Sequence, residues 1–260
     1  MILALLVACT PPEEAPVEFS DAARYGLQHF DDEAPDALSP PILALEEEIY
    51  ASLDMTSQTS ADRALEMEVL TEEDVAGVEH PDRDPALAVP PTAVARESAF
   101  GLDDHVRIAT RTDLSPMEPA SPNLYARTLV DGGDCWADRG CAFLRTENRI
   151  RKENAVMNLE YDLNKDYRWV ALADGREAIA ARSWQKESAT GESGATTFWQ
   201  SFTFEIFVPR DDGTVLRMMA LWSESELSPP VSEETTALFQ LTGIDDIFET
   251  HDEWLTENPE

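Results

Sequence analysis

The 260-residue chain is poor in basic side chains, holding 19 Lys and Arg against 52 Asp and Glu, for a formal charge of −33. A nucleic-acid partner is excluded on that ground, because binding a phosphate backbone needs a basic surface. Anionic membrane surfaces are disfavoured for the same reason. Only four histidines are present, His29, His80, His105 and His251. None lies three or four residues from another, so helical zinc-ligand spacing is missing and no metal or cofactor is expected. Glycine-rich phosphate loops and dinucleotide fingerprints are lacking. Gly191-Glu192-Ser193-Gly194 is not a nucleophile elbow, and no nucleophile and base pair can be named, so a non-enzymatic role is expected. The acidic runs Asp31-Asp32-Glu33, Asp82-Arg83-Asp84 and Asp211-Asp212-Gly213 lack the loop spacing of a calcium site and read as solvated charge. No apolar run approaches the roughly 20 residues that span a bilayer.

What is present is enough apolar material, 43% of residues, to bury a core. The acidity is uneven. Residues 10–110 hold 24 Asp and Glu against 5 Lys and Arg, whereas 12 of the 19 basic residues lie between Arg139 and Arg217. The first half therefore reads as solvating, and the later half as a more balanced folded region.

The core is expected between residues 155 and 222. Met157, Leu159, Tyr161 and Leu163 alternate with polar residues at the period of a half-buried strand. Asn164-Lys165-Asp166 offers a turn, and Tyr167 to Leu172 a partner strand. Asp174-Gly175 is a hairpin signal leading to a strand over Ala178 to Trp184. Residues 188–196 read as a polar loop. Phe198, Phe202, Phe204, Ile206 and Val208 form one strand face, closed by turn chemistry at 209–213. Val215 to Trp222 is apolar on both faces and belongs in the middle of the sheet, covered on both sides.

Around this core, Ile42 to Leu53 reads as a short amphipathic helix, Thr92 to Leu102 as a helix and Val106 to Thr110 as a short strand. Ala64 to Leu70 is ambiguous, its alternation favouring a strand, and Thr71 followed by acids suggests a helix start. A helix is expected to lead from Phe143 to the first core strand. Residues 232–255 carry Ala237, Leu241, Ile244, Phe248 and Leu255 on one face, with Ser232 as N-cap, so a C-terminal helix is expected to pack on the sheet. His251 is placed on its solvent side. The fold class is α+β: an antiparallel β-sheet meander with flanking helices and that terminal helix. This layout is loosely similar to the helix-grip folds related to START domains, which implies an enclosed apolar ligand cavity.

The apolar run ending in Leu6-Val7-Ala8-Cys9 resembles the lipobox of bacterial lipoprotein signal peptides. The resemblance implies cleavage after residue 8, acylation of Cys9 and a lipid anchor in the membrane. Thr10 differs from the Asp that retains such proteins at the inner membrane, which implies an outer-membrane lipoprotein of the cell envelope. No Lys or Arg precedes the apolar run, a departure which implies a signal longer than residues 1–8. Residues 9–41, rich in Pro, Glu, Asp and Ala, read as a tether, leaving 42–260 as one folded domain. Cys135 and Cys141, close together in an exported chain with no second Cys or His pair nearby, read as a disulfide.

Two functions follow, and the sequence leaves both open. In the first, the domain binds a small apolar or amphipathic ligand, with Trp169, Trp184 and Trp222 as walls and Arg168, Arg182 or Arg217 receiving an anionic head. In the second, the same arginines form a surface row pairing with Glu160 or Glu205, the tryptophans fill a solid core, and the domain is a structural or protein-interaction module.

Overall fold

The computed structural model describes residues 15–153 and 158–259. The elements in chain order are α1 (Phe19–Gln28), α2 (Ser39–Ser52), β1 (Ala64–Glu66), β2 (Thr92–Ser98), α3 (Leu102–Ala109), β3 (Tyr125–Asp131), β4 (Phe143–Glu153), β5 (Asn158–Ala171), β6 (Glu177–Trp184), β7 (Ala189–Thr190), β8 (Thr196–Pro209), β9 (Val215–Leu227) and α4 (Glu233–Glu257). All pairings are antiparallel, and the sheet runs β1-β2-β9-β8-β6-β5-β4-β3, with β7 beside β8. The meander is thus extended past β9 by two strands from the first half of the chain. The fold is α+β, and β9 lies inside the sheet as its two apolar faces require.

One face is dry. Phe202, Phe204, Ile206 and Val208 of β8 and Leu216, Met218, Ala220 and Trp222 of β9 meet Ala22, Ala23 and Leu27 of α1 and Ile42, Leu45 and Ile49 of α2. Gly26 lets α1 approach so closely that a Cβ there would fall 2.3 Å from Cζ of Phe204. Residues 19–41, expected as part of the tether, are therefore folded onto the sheet. Though acidic in composition, they carry Phe19, Leu27, Phe30 and Leu38 at intervals that cover the sheet, and all four are buried. Composition averages over such spaced anchors.

Five further expectations change. Asn164-Lys165-Asp166 is not a turn, because β5 runs unbroken through it and pairs Lys165 with Ser183 and Asp166 with Arg182. Thr92 to Ser98 and Phe143 to Glu153 are strands, their local pattern overridden by pairing to β9 and β5. Leu102 to Ala109 is a helix, opened by a hydrogen bond from the Gly101 amide to the Asp104 carboxylate. Finally, a bulge between Phe198 and Gln200 adds one residue to β8, which moves Phe198 off the Phe202/Phe204 face onto the other side of the sheet.

Helix α4 forms as expected, capped by Ser232 accepting from the Thr235 amide, and Gly243 does not break it. It crosses the second face of the sheet beside β2, where Ile244 and Phe248 pack on Val94 and Met219. Arg63 and Arg96 hold it there through Asp245. Cys135 and Cys141 are joined in a disulfide, with Cα atoms 5.5 Å apart, closing a small loop whose Trp136 is fully buried against Trp169. Residues 1–8 and Cys9 lie outside the described residues.

Candidate functional site

The second face of the sheet is not filled. Between it, α3 and α4 lies a cavity of about 560 Å³, within the ~300–1,000 Å³ range of small-molecule sites. Its wall is mostly apolar, with Ile108 and Leu114 from the α3 region, Tyr161 and Leu163 from β5, Phe198 and Phe207 from β8, Met219 and Leu221 from β9, and Ile244 and Ile247 from α4. Phe239, half exposed on α4, also lines it and places its mouth along that helix.

A polar stripe crosses the floor because the strand register aligns it. Lys165, Ser183, Thr203 and Leu221 are successive cross-strand partners on β5, β6, β8 and β9. Ser183 and Thr203 share a hydrogen bond of 2.7 Å, and Nζ of Lys165 donates to Oε1 of Glu205 at 2.6 Å. Burial alone would strip the charge from Lys165, but the attraction of Glu205 prevails and raises its pKa. Arg127, also buried, donates to Asn148, Tyr167 and the Ala109 carbonyl, which supports the end of α3.

At the inner end stand Arg217, His105, His251 and Glu118. Arg217 donates through Nη1 to the Phe248 carbonyl and the Asp252 carboxylate, each at 3.2 Å, and through Nη2 to Nδ1 of His251 at 3.0 Å. Because a guanidinium only donates, Nδ1 of His251 is the acceptor. The neutral ring then carries its proton on Nε2, which faces Oε1 of Glu118 at 3.8 Å. Burial lowers the pKa of His251, the nearby carboxylate of Glu118 opposes this, and the charge of Arg217 adds to it. Burial acts to raise the Glu118 carboxyl, but His251, Lys152 and Lys165 together bring it below its ordinary value. For His105, burial and then the charges of Arg217 and His251 push the imidazole well down.

This arrangement has a pH consequence. A histidine whose pKa is lowered by folding contributes its full stability above the unfolded value near 6.5, and loses it as pH falls below that value. The unfolded chain then takes a proton that the folded chain refuses, at about 1.4 kcal/mol per pH unit for each such histidine. Urea unfolding is therefore expected to show stability falling from about pH 7 to pH 5, and His105→Phe to flatten that slope. An unchanged slope in the variant would remove His105 from the account.

Of the residues that the sequence pointed to, Arg217 alone lines this cavity. Arg168 and Arg182 face the dry side: Arg168 donates to the Phe30 and Ala34 carbonyls, and Arg182 to Asp31 and Asp166. Neither is a surface row, since both are 2% exposed or less. Glu160 pairs with Arg149 and Arg151 instead, and Glu205 with Lys165. Trp184 and Trp222 belong to the dry core, where the Trp222 indole donates to the Glu68 carbonyl. Trp169 stacks on Trp136, away from the cavity wall. His251 corrects the solvent-side placement: its side chain is 15% exposed and turned to the sheet. Lys165, Thr203, Glu205, Arg127, Glu118 and His105 were missed. The signal for three of them was available, since Lys165, Thr203 and Glu205 are polar at inward positions of otherwise apolar strands. Among the described residues, no cluster of His, Cys, Asp and Glu could hold a metal ion.

No protein-family model matches this chain, and no curated protein sequence matches it. The fold is similar to solved START-like structures. One is a STAR-related lipid transfer protein fragment from Xanthomonas axonopodis, 12% identical over 65% of this chain and 87% of that chain, with a TM-score of 0.45. The human StarD13 lipid transfer and protein localization domain is 11% identical over 81% and 95%, with a TM-score of 0.40. A truncated norcoclaurine synthase from Thalictrum flavum is 10% identical over 65% and 95%, with a TM-score of 0.36. At this overlap, neither ligand nor activity passes from them to this chain.

Proposed function

We propose that this protein binds a small apolar or amphipathic molecule between the second face of its sheet and α4, without transforming it. The observation that carries this reading is the cavity itself. A core of this size filled for stability alone would be close-packed, because unfilled space forfeits dispersion contacts. Here about 560 Å³ is left open between a well-packed sheet and a helix tied down by Arg63 and Arg96. The wall is apolar and the polar groups are few and localised, which is the pattern of a ligand site.

The test is to fill the space. Leu163→Trp on β5 and Leu221→Trp on β9 place added volume in the cavity from two separate strands of the sheet. Each is expected to weaken binding of a neutral solvatochromic dye by about ten-fold or more while the protein stays folded. Full dye binding in both folded variants would refute the reading.

We propose in addition that the chain is held at the bacterial cell envelope by an acylated Cys9, on the strength of Leu6-Val7-Ala8-Cys9. The intact mass of chain extracted from membranes is expected to lack residues 1–8 and to carry acyl groups. An unmodified Cys9 with residues 1–8 attached would overturn that.

A further inference from the structure

The chain has 52 acidic residues against 19 basic ones, yet the cavity wall holds four basic side chains, Arg127, Lys152, Lys165 and Arg217, against three acidic ones, Glu118, Glu205 and Asp246. The wall is therefore close to balanced in charge, while the molecule as a whole is strongly acidic. Of the buried carboxylates there, Glu205 accepts from Lys165, while Glu118 makes only an ion-pair approach of 3.8 Å to Nε2 of His251. Asp252, beside the wall, accepts from Arg217 and Ser98.

What remains unengaged at the inner end is N–H. Nε of Arg217 has no partner, neither ring nitrogen of His105 has one, and Nε2 of His251, 3.8 Å from Glu118, also lacks a hydrogen bond. Arg217 and His105 are 2% and 3% exposed, so solvent does not answer for them. Both line the cavity, and both pack on the same ring, Phe207. A buried donor without an acceptor costs about 1–3 kcal/mol, and more when it is charged. Two such donors side by side in an open cavity are the imprint of an absent acceptor.

Given the cavity-binding reading above, on which this rests, we propose that the inner end of the cavity is an acid subsite, where Nε–H of Arg217 and a ring N–H of His105 receive the carboxylate of an amphipathic monocarboxylic acid. A single negative charge suits the site better than two, because Asp252 already offsets part of the guanidinium charge. The rest of the ligand is apolar, as Ile108, Leu221 and Ile244 require, and it leads toward Phe239 at the mouth. A group bearing only donors, such as an ammonium, would leave both N–H groups unanswered and would meet the guanidinium charge directly. Burial leaves Arg217 pushed down to about 10, the sign of a cation short of counter-charge, which a carboxylate would restore.

The experiment compares three ligands with the same chain, dodecanoate, dodecanol and dodecylamine, titrated calorimetrically into the intact protein below their micellar concentrations at mildly alkaline pH. The acid is expected to bind about ten-fold or more tightly than the alcohol, and the amine most weakly. Arg217→Gln is expected to abolish the difference between acid and alcohol while leaving alcohol binding in place. Since Arg217 also ties α4 to the sheet, His105→Phe provides a second variant, expected to reduce the acid's advantage with α4 undisturbed. Equal binding of acid and alcohol, or preference for the amine, would overturn the acid subsite while leaving the cavity reading standing. Binding of none of the three would overturn both.

Discussion

A chain that begins at Ile42 is expected to lose cooperative thermal unfolding and to bind apolar dyes as an exposed core does, whereas a chain beginning at Pro16 unfolds in one transition. Deleting residues 16–41 removes α1 and the start of α2, and with them the cover of Phe204, Ile206 and Trp222, all fully buried. Hydrophobic burial of this kind contributes about 1.5–3 kcal/mol for each large side chain, and net stabilities are about 5–15 kcal/mol. The deletion also strips Arg168 of the Phe30 and Ala34 carbonyls and the Ala171 amide of the Pro35 carbonyl. A buried guanidinium with no acceptor adds its own penalty. Calorimetry decides the matter, and a melting transition like that of the longer chain would show that α1 is dispensable.

The second large effect is at Arg182. Its replacement by alanine is expected to cost about 3–5 kcal/mol, the usual loss when one partner of a buried ion pair is removed. Asp166, itself buried, accepts from Arg182 at 3.2 Å, and the carboxylate of Asp31 meets the same nitrogen. The guanidinium also lies 4.6 Å above the Phe30 ring, so the change undoes the seat of the segment after α1. Burial already raises the pKa of Asp166 despite Arg182 and Arg145, and without Arg182 that carboxylate would sit closer to protonation. Ligand affinity is expected to stay the same, because Arg182 lies across the sheet from the cavity. A loss of affinity in folded Arg182→Ala, with stability intact, would return this residue to the role that its strand position first suggested.

The contrast between Arg182 and Arg217 shows where a single sequence stops being informative. Each is a lone arginine in an apolar strand, and alternation alone assigns each to a face only after the strand boundaries and bulges are known. The alternation in β9 was clear enough to place that strand inside the sheet, and the α4 pattern with Ser232 located the terminal helix within two residues. The face of Phe198 was not recoverable, because the bulge beside it leaves no mark in residue type. Nor was β5, where Asn164, Lys165 and Asp166 look like a turn. They are strand residues since Lys165 and Asp166 each find a buried partner of opposite charge on another strand, Glu205 and Arg182. Long-range pairing of that sort outweighs local propensity. The same holds for β2 and β4, short of strand signals and held by their neighbours.

The cavity was the least legible feature. Its wall is assembled from strands, α3 and α4 that are far apart in the chain, and an unfilled volume has no residue of its own. An α+β layout with a terminal helix across the sheet suggested one, but the tryptophans named as its walls pack elsewhere. Smaller residues, including Leu163, Leu221 and Ile247, line it instead. Large side chains fill space, and a site needs space left over.

The most direct measurement is native mass spectrometry of the chain beginning at Thr10, purified from its own host without detergent. The account predicts a reproducible added mass of a few hundred daltons, released by organic solvent, retained in Arg182→Ala and lost in Leu221→Trp. A bare mass in every preparation, together with no uptake of any offered amphiphile, would contradict it.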